Sequence, residues 1–124
     1  MLRTLARLLL PLGLAAASAA APVQAAGYPD HPLKLVVPYA AGGPADVLAR
    51  IVAEKLAPAV GQQVLVENRP GAGGHIGGEF VRNQPADGYT LMLGTIAHHG
   101  AAQLYRNLRY DPTNDLQSVI LVGS

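Results

Sequence analysis

Apolar positions fall into short blocks separated by glycine, proline and polar turns. The run Leu33-Lys34-Leu35-Val36-Val37, stopped by Pro38, predicts a buried strand. From Pro44 the period changes: Val47, Leu48, Ile51, Val52 and Leu56 recur at helical spacing, with Pro44 and Asp46 placed where they favour a helix start. That helix is expected to weaken near Pro58 and stop by Gly61. Val64 to Val66 predicts a second strand running into the Asn68-Arg69-Pro70-Gly71 turn, and a short helix follows around Glu79 to Asn83, closed by Pro85-Ala86-Asp87-Gly88. Tyr89 to Leu93 predicts a third strand, Ala101 to Tyr105 a short helical piece, and Leu116 to Val122 a fourth strand. The order β-α-β-α-β-α-β implies an α/β chain with a largely parallel sheet and flanking helices. In such sheets ligands sit beyond the carboxyl ends of the strands, so the loops after the first three strands are the places to look for function.

The first residues depart from this pattern. Arg3 and Arg7 precede an uncharged leucine and alanine run from Leu8 to Ala21, and Val23-Gln24-Ala25 ends it with small residues. This reads as a secretory signal peptide over residues 1–25, with residues 26–124 as the mature part. Pro11 and Gly13 interrupt the run, which is shorter than the ~18 apolar residues a membrane span needs. Cleavage would remove two of nine basic residues and none of eight acidic ones, leaving a net charge of −1 in place of +1. The remaining basic residues are scattered, which argues against nucleic acid as a partner. With half of its 124 residues hydrophobic and only 14% charged, the chain can pack one domain at most and is not of the disordered class. Cysteine is absent, which excludes disulfides, thiolate metal sites, a cysteine nucleophile and a lipid-modified cysteine anchor.

Gly42 and Gly43 stand just before the first helix, where loop N–H groups and the helix field suit an anion such as a carboxylate; tight βα geometry alone explains them equally well. Asp46 reads first as a helix-dipole partner and second as a contact to a ligand amino group or water. The stretch Gly71 to Gly78 is not a nucleotide loop. A dinucleotide fingerprint needs glycine at Ile76, and a phosphate loop needs lysine at Glu79. His75, His98 and His99 fall in the candidate loops but lack metal-ligand spacing, so neither a metal nor a cofactor is expected. Thr95 follows the third strand, where its hydroxyl suits a ligand or a turn cap. Ser118 and Ser124 lie in or after the last strand, no nucleophile elbow accompanies them, and no enzyme chemistry is expected.

Several stretches are more specific than these physical arguments require: Tyr28-Pro29, Pro32 to Tyr39, Gly42-Gly43 with Asp46, Val66 to Gly74, Asp87-Gly88-Tyr89-Thr90-Leu91 and Tyr110-Asp111-Pro112. In this order and spacing they closely resemble the Bug family, the tripartite tricarboxylate transporter substrate-binding proteins. The resemblance implies part of the first lobe of a type II periplasmic binding protein fold, with the second lobe absent from this chain. It implies a protein free in the periplasm that binds a small carboxylate through loop backbone and water. The implied partners are membrane transporter subunits or, as an alternative, a sensor kinase that reads the liganded form; a truncated, non-binding fragment is the other alternative. Carried over by position, the ligand contacts are Tyr39, Ala41, Gly42, Gly43 and Asp46 in the first loop, Gly74 and His75 in the second, and Thr95 with His98 or His99 in the third. The chain departs from the family pattern at Ala45, where a hydroxyl is common, at His75, where asparagine is common, and at Ala40-Ala41, where proline is more usual.

Overall fold

The computed structural model describes residues 27–95, 98, 105 and 107–123. The predicted leader, His99 and all of the expected helical piece except Tyr105 lie outside them.

Strand β1 (Leu33–Val37) leads into helix α1 (Pro44–Val60) and strand β2 (Val64–Asn68). A 3-10 turn (Ala72–Gly74) opens helix α2 (His75–Arg82), and strand β3 (Thr90–Met92) follows. The strands pair in the order β2-β1-β3, all parallel, with Leu35 opposite both Val66 and Leu91. β1 is central because it buries apolar side chains on both faces, Leu33, Leu35 and Val37 on one and Val36 on the other, as a strand covered on both sides requires. Leu35 and Val37 point to the α1 side and pack with Ala49, Val52, Val66 and Leu93. Each such fully buried aliphatic side chain contributes about 1.5–3 kcal/mol. On the other face Lys34 reaches Phe80 of α2, its Nζ 5.3 Å from the ring centre. The chain therefore leaves β1 in one direction for β2 and returns across it to β3.

The α1 boundaries follow the predicted punctuation. Pro44 occupies the first turn, where a missing N–H costs nothing, and Gly61 ends the helix in left-handed geometry with its N–H donating to Ala57 at 2.9 Å. Pro58 sits inside the last turn without ending the helix. The buried stripe differs from the apolar pattern. Asp46, Ala49 and Ala53 are sealed, whereas Val47, Leu48 and Ile51 remain 40–52% exposed. Small side chains let the helix backbone lie close to the sheet, and close packing outweighs side-chain size in choosing the face.

α2 starts four residues earlier than the pattern predicts. Two glycines, Gly77 and Gly78, weaken the local helix preference by about 1 kcal/mol each relative to alanine. Both are buried, and a Cβ at Gly78 would collide with the Tyr110 hydroxyl, so tertiary packing requires the bare backbone that propensity disfavours. The predicted fourth strand is not formed. Residues 116–123 carry no strand, and Val119, Ile120 and Leu121 are about four-fifths exposed. A β-branched run makes a strand only where a sheet edge and an apolar face accept it, and neither the three-residue β3 nor β2 does so here.

Candidate functional site

Because all three strands run parallel, the loops that follow them emerge at one edge of the sheet. The strand order reverses at β1, so the loops after β1 and β3 flank a topological switch point, the position where open α/β sheets form a ligand crevice.

The first loop is built around Asp46, one of the few buried charged residues, at 4% exposure. Its Oδ2 accepts the Gly42 N–H at 2.9 Å and Arg50 Nε at 3.0 Å, while Oδ1 accepts Asn68 Nδ2 at 3.0 Å. Asn68 also donates to the Tyr39 carbonyl at 3.1 Å, tying the end of β2 to the first loop. The bonds from Arg50, then Gly42, then Asn68 lower the Asp46 pKa to about 2, so it stays ionised through the physiological range. Gly42 thus spends its N–H inside the loop. Ala45 and Asp46, the second and third residues of α1, have backbone N–H groups with no intrahelical acceptor. Those groups carry the positive end of the helix field.

A second network joins the three loops through side chains. The Tyr39 and Thr95 hydroxyls lie 2.8 Å apart, across the switch point. Thr95 N–H donates to His98 Nδ1 at 3.3 Å, and the far ring nitrogen, Nε2, lies 3.2 Å from the Gly74 carbonyl. Nδ1 that accepts a backbone N–H cannot itself carry the proton, so Nε2–H is the donor to Gly74 and His98 is a neutral imidazole with a fixed tautomer. His98 is 2% exposed, and a Cβ on Gly74, whose φ is +96°, would stand 2.5 Å from Nε2. Glycine is required there both by conformation and by the approach of this ring.

His75, the first residue of α2, is 6% exposed, with Nδ1 3.0 Å from the Tyr110 hydroxyl. Burial, followed by the neighbouring His98, pushes its pKa down, and burial pushes the Tyr110 hydroxyl up. The ring forms one wall of an open cavity of about 480 Å³ beside the second loop. A second groove of about 410 Å³ lies away from these loops, between α1 and β2.

Of the residues predicted from the sequence, Tyr39, Gly74, Thr95 and His98 share one network, and Gly42 and Asp46 share the other. Ala41 is exposed on the first loop, and Gly43 N–H makes a long 3.4 Å contact to the Ala40 carbonyl. His99 lies outside the described residues. Sequence reasoning gave no role to Asn68, Arg50 or Tyr110. The spacing of Asp46 and Arg50, four apart on one helix, was a readable signal for that pair. Asn68 and Tyr110 act across long sequence separations that no local pattern encodes. Among the described residues no group of acidic or histidine side chains is arranged to hold a metal ion.

Residues 48–124 match the model of a protein family described as the tripartite tricarboxylate transporter family receptor. The chain is 42% identical to protein BugT of Bordetella pertussis over 121 residues, covering 94% of this chain and 37% of that protein. It is similar in structure to the periplasmic binding protein BugD, with TM-score 0.68 and 44% identity over 71% of this chain and 29% of BugD. MatC from Rhodopseudomonas palustris, solved with bound malate, gives TM-score 0.67 and 37% identity over 71% of this chain and 30% of MatC. The chain spans about a third of the length of the curated relatives it matches.

Proposed function

We propose, from the premise that this chain belongs to the tripartite tricarboxylate transporter receptor family, that it binds a small carboxylate in the periplasm for delivery to the membrane subunits of such a transporter. Residues 1–25 act as the export signal, and residues 26–124 supply the beginning of the first lobe. The protein holds its ligand without chemical turnover.

The observation that carries this reading is the Tyr39–Thr95 hydrogen bond, which bridges the loops on either side of the strand-order reversal, the place where open α/β sheets bind their ligands. The carboxylate lies at the start of α1, where the free N–H groups of Ala45 and Asp46 and the backbone of Ala41 and Gly43 meet the positive end of the helix. Asp46 does not repel it, because Arg50 balances its charge; its part is to shape the loop through Gly42 and Asn68. Gly74 and His98 hold the second and third loops against the first, with Thr95 placed to offer its hydroxyl. Malate bound to MatC, a structural relative, is a ligand of this chemical class.

A thermal-shift series with acetate, malate and citrate tests the reading on this chain and on a longer protein that adds the second lobe. A ligand present at one hundred times its Kd stabilises the folded state by about 2.7 kcal/mol, which the melting midpoint reports. Stabilisation by at least one of these acids is expected, stronger in the longer protein. No response of either protein to any carboxylate overturns the reading. A pull-down with and without ligand separates a sensor kinase from the transporter as recipient.

A further inference from the structure

The cavity beside the second loop has a chemistry of its own. Ala72, Ile76 and Leu108 form its aliphatic wall, and His75, Tyr105 and Tyr110 its aromatic one. The His75 and Tyr105 rings meet edge to face with centroids 4.6 Å apart. At the rim, Glu79 and Arg109 pair at 3.6 Å, so the charged groups there balance each other and the cavity offers no unpaired charge to a ligand.

Into this largely apolar space opens a buried ring nitrogen of His75. Tyr110 is buried, and its hydroxyl meets Nδ1 of His75. A buried O–H without an acceptor is costly, so the hydroxyl donates and Nδ1 accepts. The proton of the neutral ring then resides on Nε2. Among the described residues no buried side-chain polar atom is left without a partner, and Nε2 has none among them, so it reaches the cavity that the ring lines. His75 is therefore a side chain more than nine-tenths buried that presents an N–H to a largely apolar, aromatic-edged space, with Glu79, Asn107 and Arg109 as its polar lining.

We infer that this cavity is a specificity subsite for the uncharged, apolar or aromatic body of the ligand, with His75 Nε2–H donating to an oxygen on that body. The inference rests on the carboxylate reading only for the ligand's charged end, which the first loop holds. The ligand class it names is a carboxylate with an aryl or branched aliphatic body carrying a carbonyl, ether or hydroxyl oxygen. A small hydrophilic acid would leave the cavity unfilled.

Three probes separate the two parts: acetate for the first loop alone, benzyl alcohol for the cavity alone, and phenylacetate for both. Amide, histidine side-chain nitrogen and tyrosine ring resonances of the full chain are followed during titration. The inference expects benzyl alcohol and phenylacetate to move His75 Nε2 and the Tyr110 ring, and phenylacetate to bind about tenfold or more tightly than acetate. Ile76→Trp, at a half-exposed position on the cavity wall, should abolish that preference and leave acetate binding unchanged. The inference is overturned if neither aromatic probe moves His75, a result that needs no variant, or if Ile76→Trp leaves the ratio intact. Failure of the carboxylate reading gives a different result: acetate leaves the Gly43 and Thr95 amides unmoved, whatever happens at His75.

Discussion

At the carboxyl edge of the sheet, the first loop is anchored by an ion, Asp46 with Arg50, whereas the second and third loops are joined through neutral imidazoles, His98 between Thr95 and Gly74 and His75 against Tyr110. The two anchorages respond oppositely to their surroundings. The carboxylate is buried but over-provided with donors, so it keeps its charge in acid. The imidazole of His75 is buried without an acidic partner, so it resists taking a charge. The first loop is thus held from below by charge, and the second and third loops by uncharged contacts.

The largest effect is expected where conformation and packing coincide. Gly74→Ala forces a side chain into left-handed geometry and against His98, and should cost about 3 kcal/mol, a fall in melting midpoint on the order of 15 °C. A midpoint within a few degrees of the parent would show that the His98 contact does not constrain this loop. Asp46→Asn should come next: the Gly42 amide loses a charged acceptor, and its hydrogen-exchange rate should rise on the order of tenfold, with the Thr95 amide unaffected. Equal acceleration of both amides would mean that the two anchorages are one.

His98→Gln sharpens the comparison from the other side. Its amide can still donate to the Gly74 carbonyl but places no acceptor at the position of Nδ1, because its oxygen lies one bond farther from Cγ, so a loss of about 1 kcal/mol and faster exchange confined to Thr95 are expected. Acid should then separate the loops. The His75 pKa is depressed in the folded state, so the unfolded chain takes up its proton first and stability should fall as pH drops below about 6.5, the ordinary histidine value. Asp46 acts lower on the scale: its folded pKa of about 2 lies beneath the ordinary value of about 3.9, so its contribution is complete above that value and fades only as pH falls toward 2. Denaturant midpoints measured from pH 7 downward should show the upper loss, and His75→Asn should remove it. The smallest effect belongs to Leu121→Ser in the exposed segment, within about 0.5 kcal/mol by the same measurement.

What was legible in the sequence was local. The Leu33–Val37 run and the Pro44 and Gly61 boundaries each owe their form to neighbours in the chain, and the structure keeps them, whereas no turn forms at the predicted Asn68–Gly71 position. The strand prediction at Leu116–Val122 failed because a strand needs a receiving edge, which composition does not supply. The α2 start was hidden because Gly77 and Gly78 are chosen for contacts with Pro38 and Tyr110, remote in sequence. The loops were identified as the candidate site from topology, but their internal division of labour was not. Asp46, read first as a helix-dipole partner and second as a ligand contact, is the centre of a loop; His98, carried over as a ligand contact, has both ring nitrogens engaged within the protein. Those roles depend on Asn68, Thr95 and Gly74 arriving from other loops.

A malate titration of the chain followed by amide chemical shifts tests whether the first and third loops hold the ligand. Movements are expected at Gly43, Ala45 and Thr95, which lie around the switch point, and none at Glu54 or Leu65, which line the groove between α1 and β2. Movements confined to Glu54 and Leu65, or no movement at the first and third loops at saturating malate, would contradict that placement.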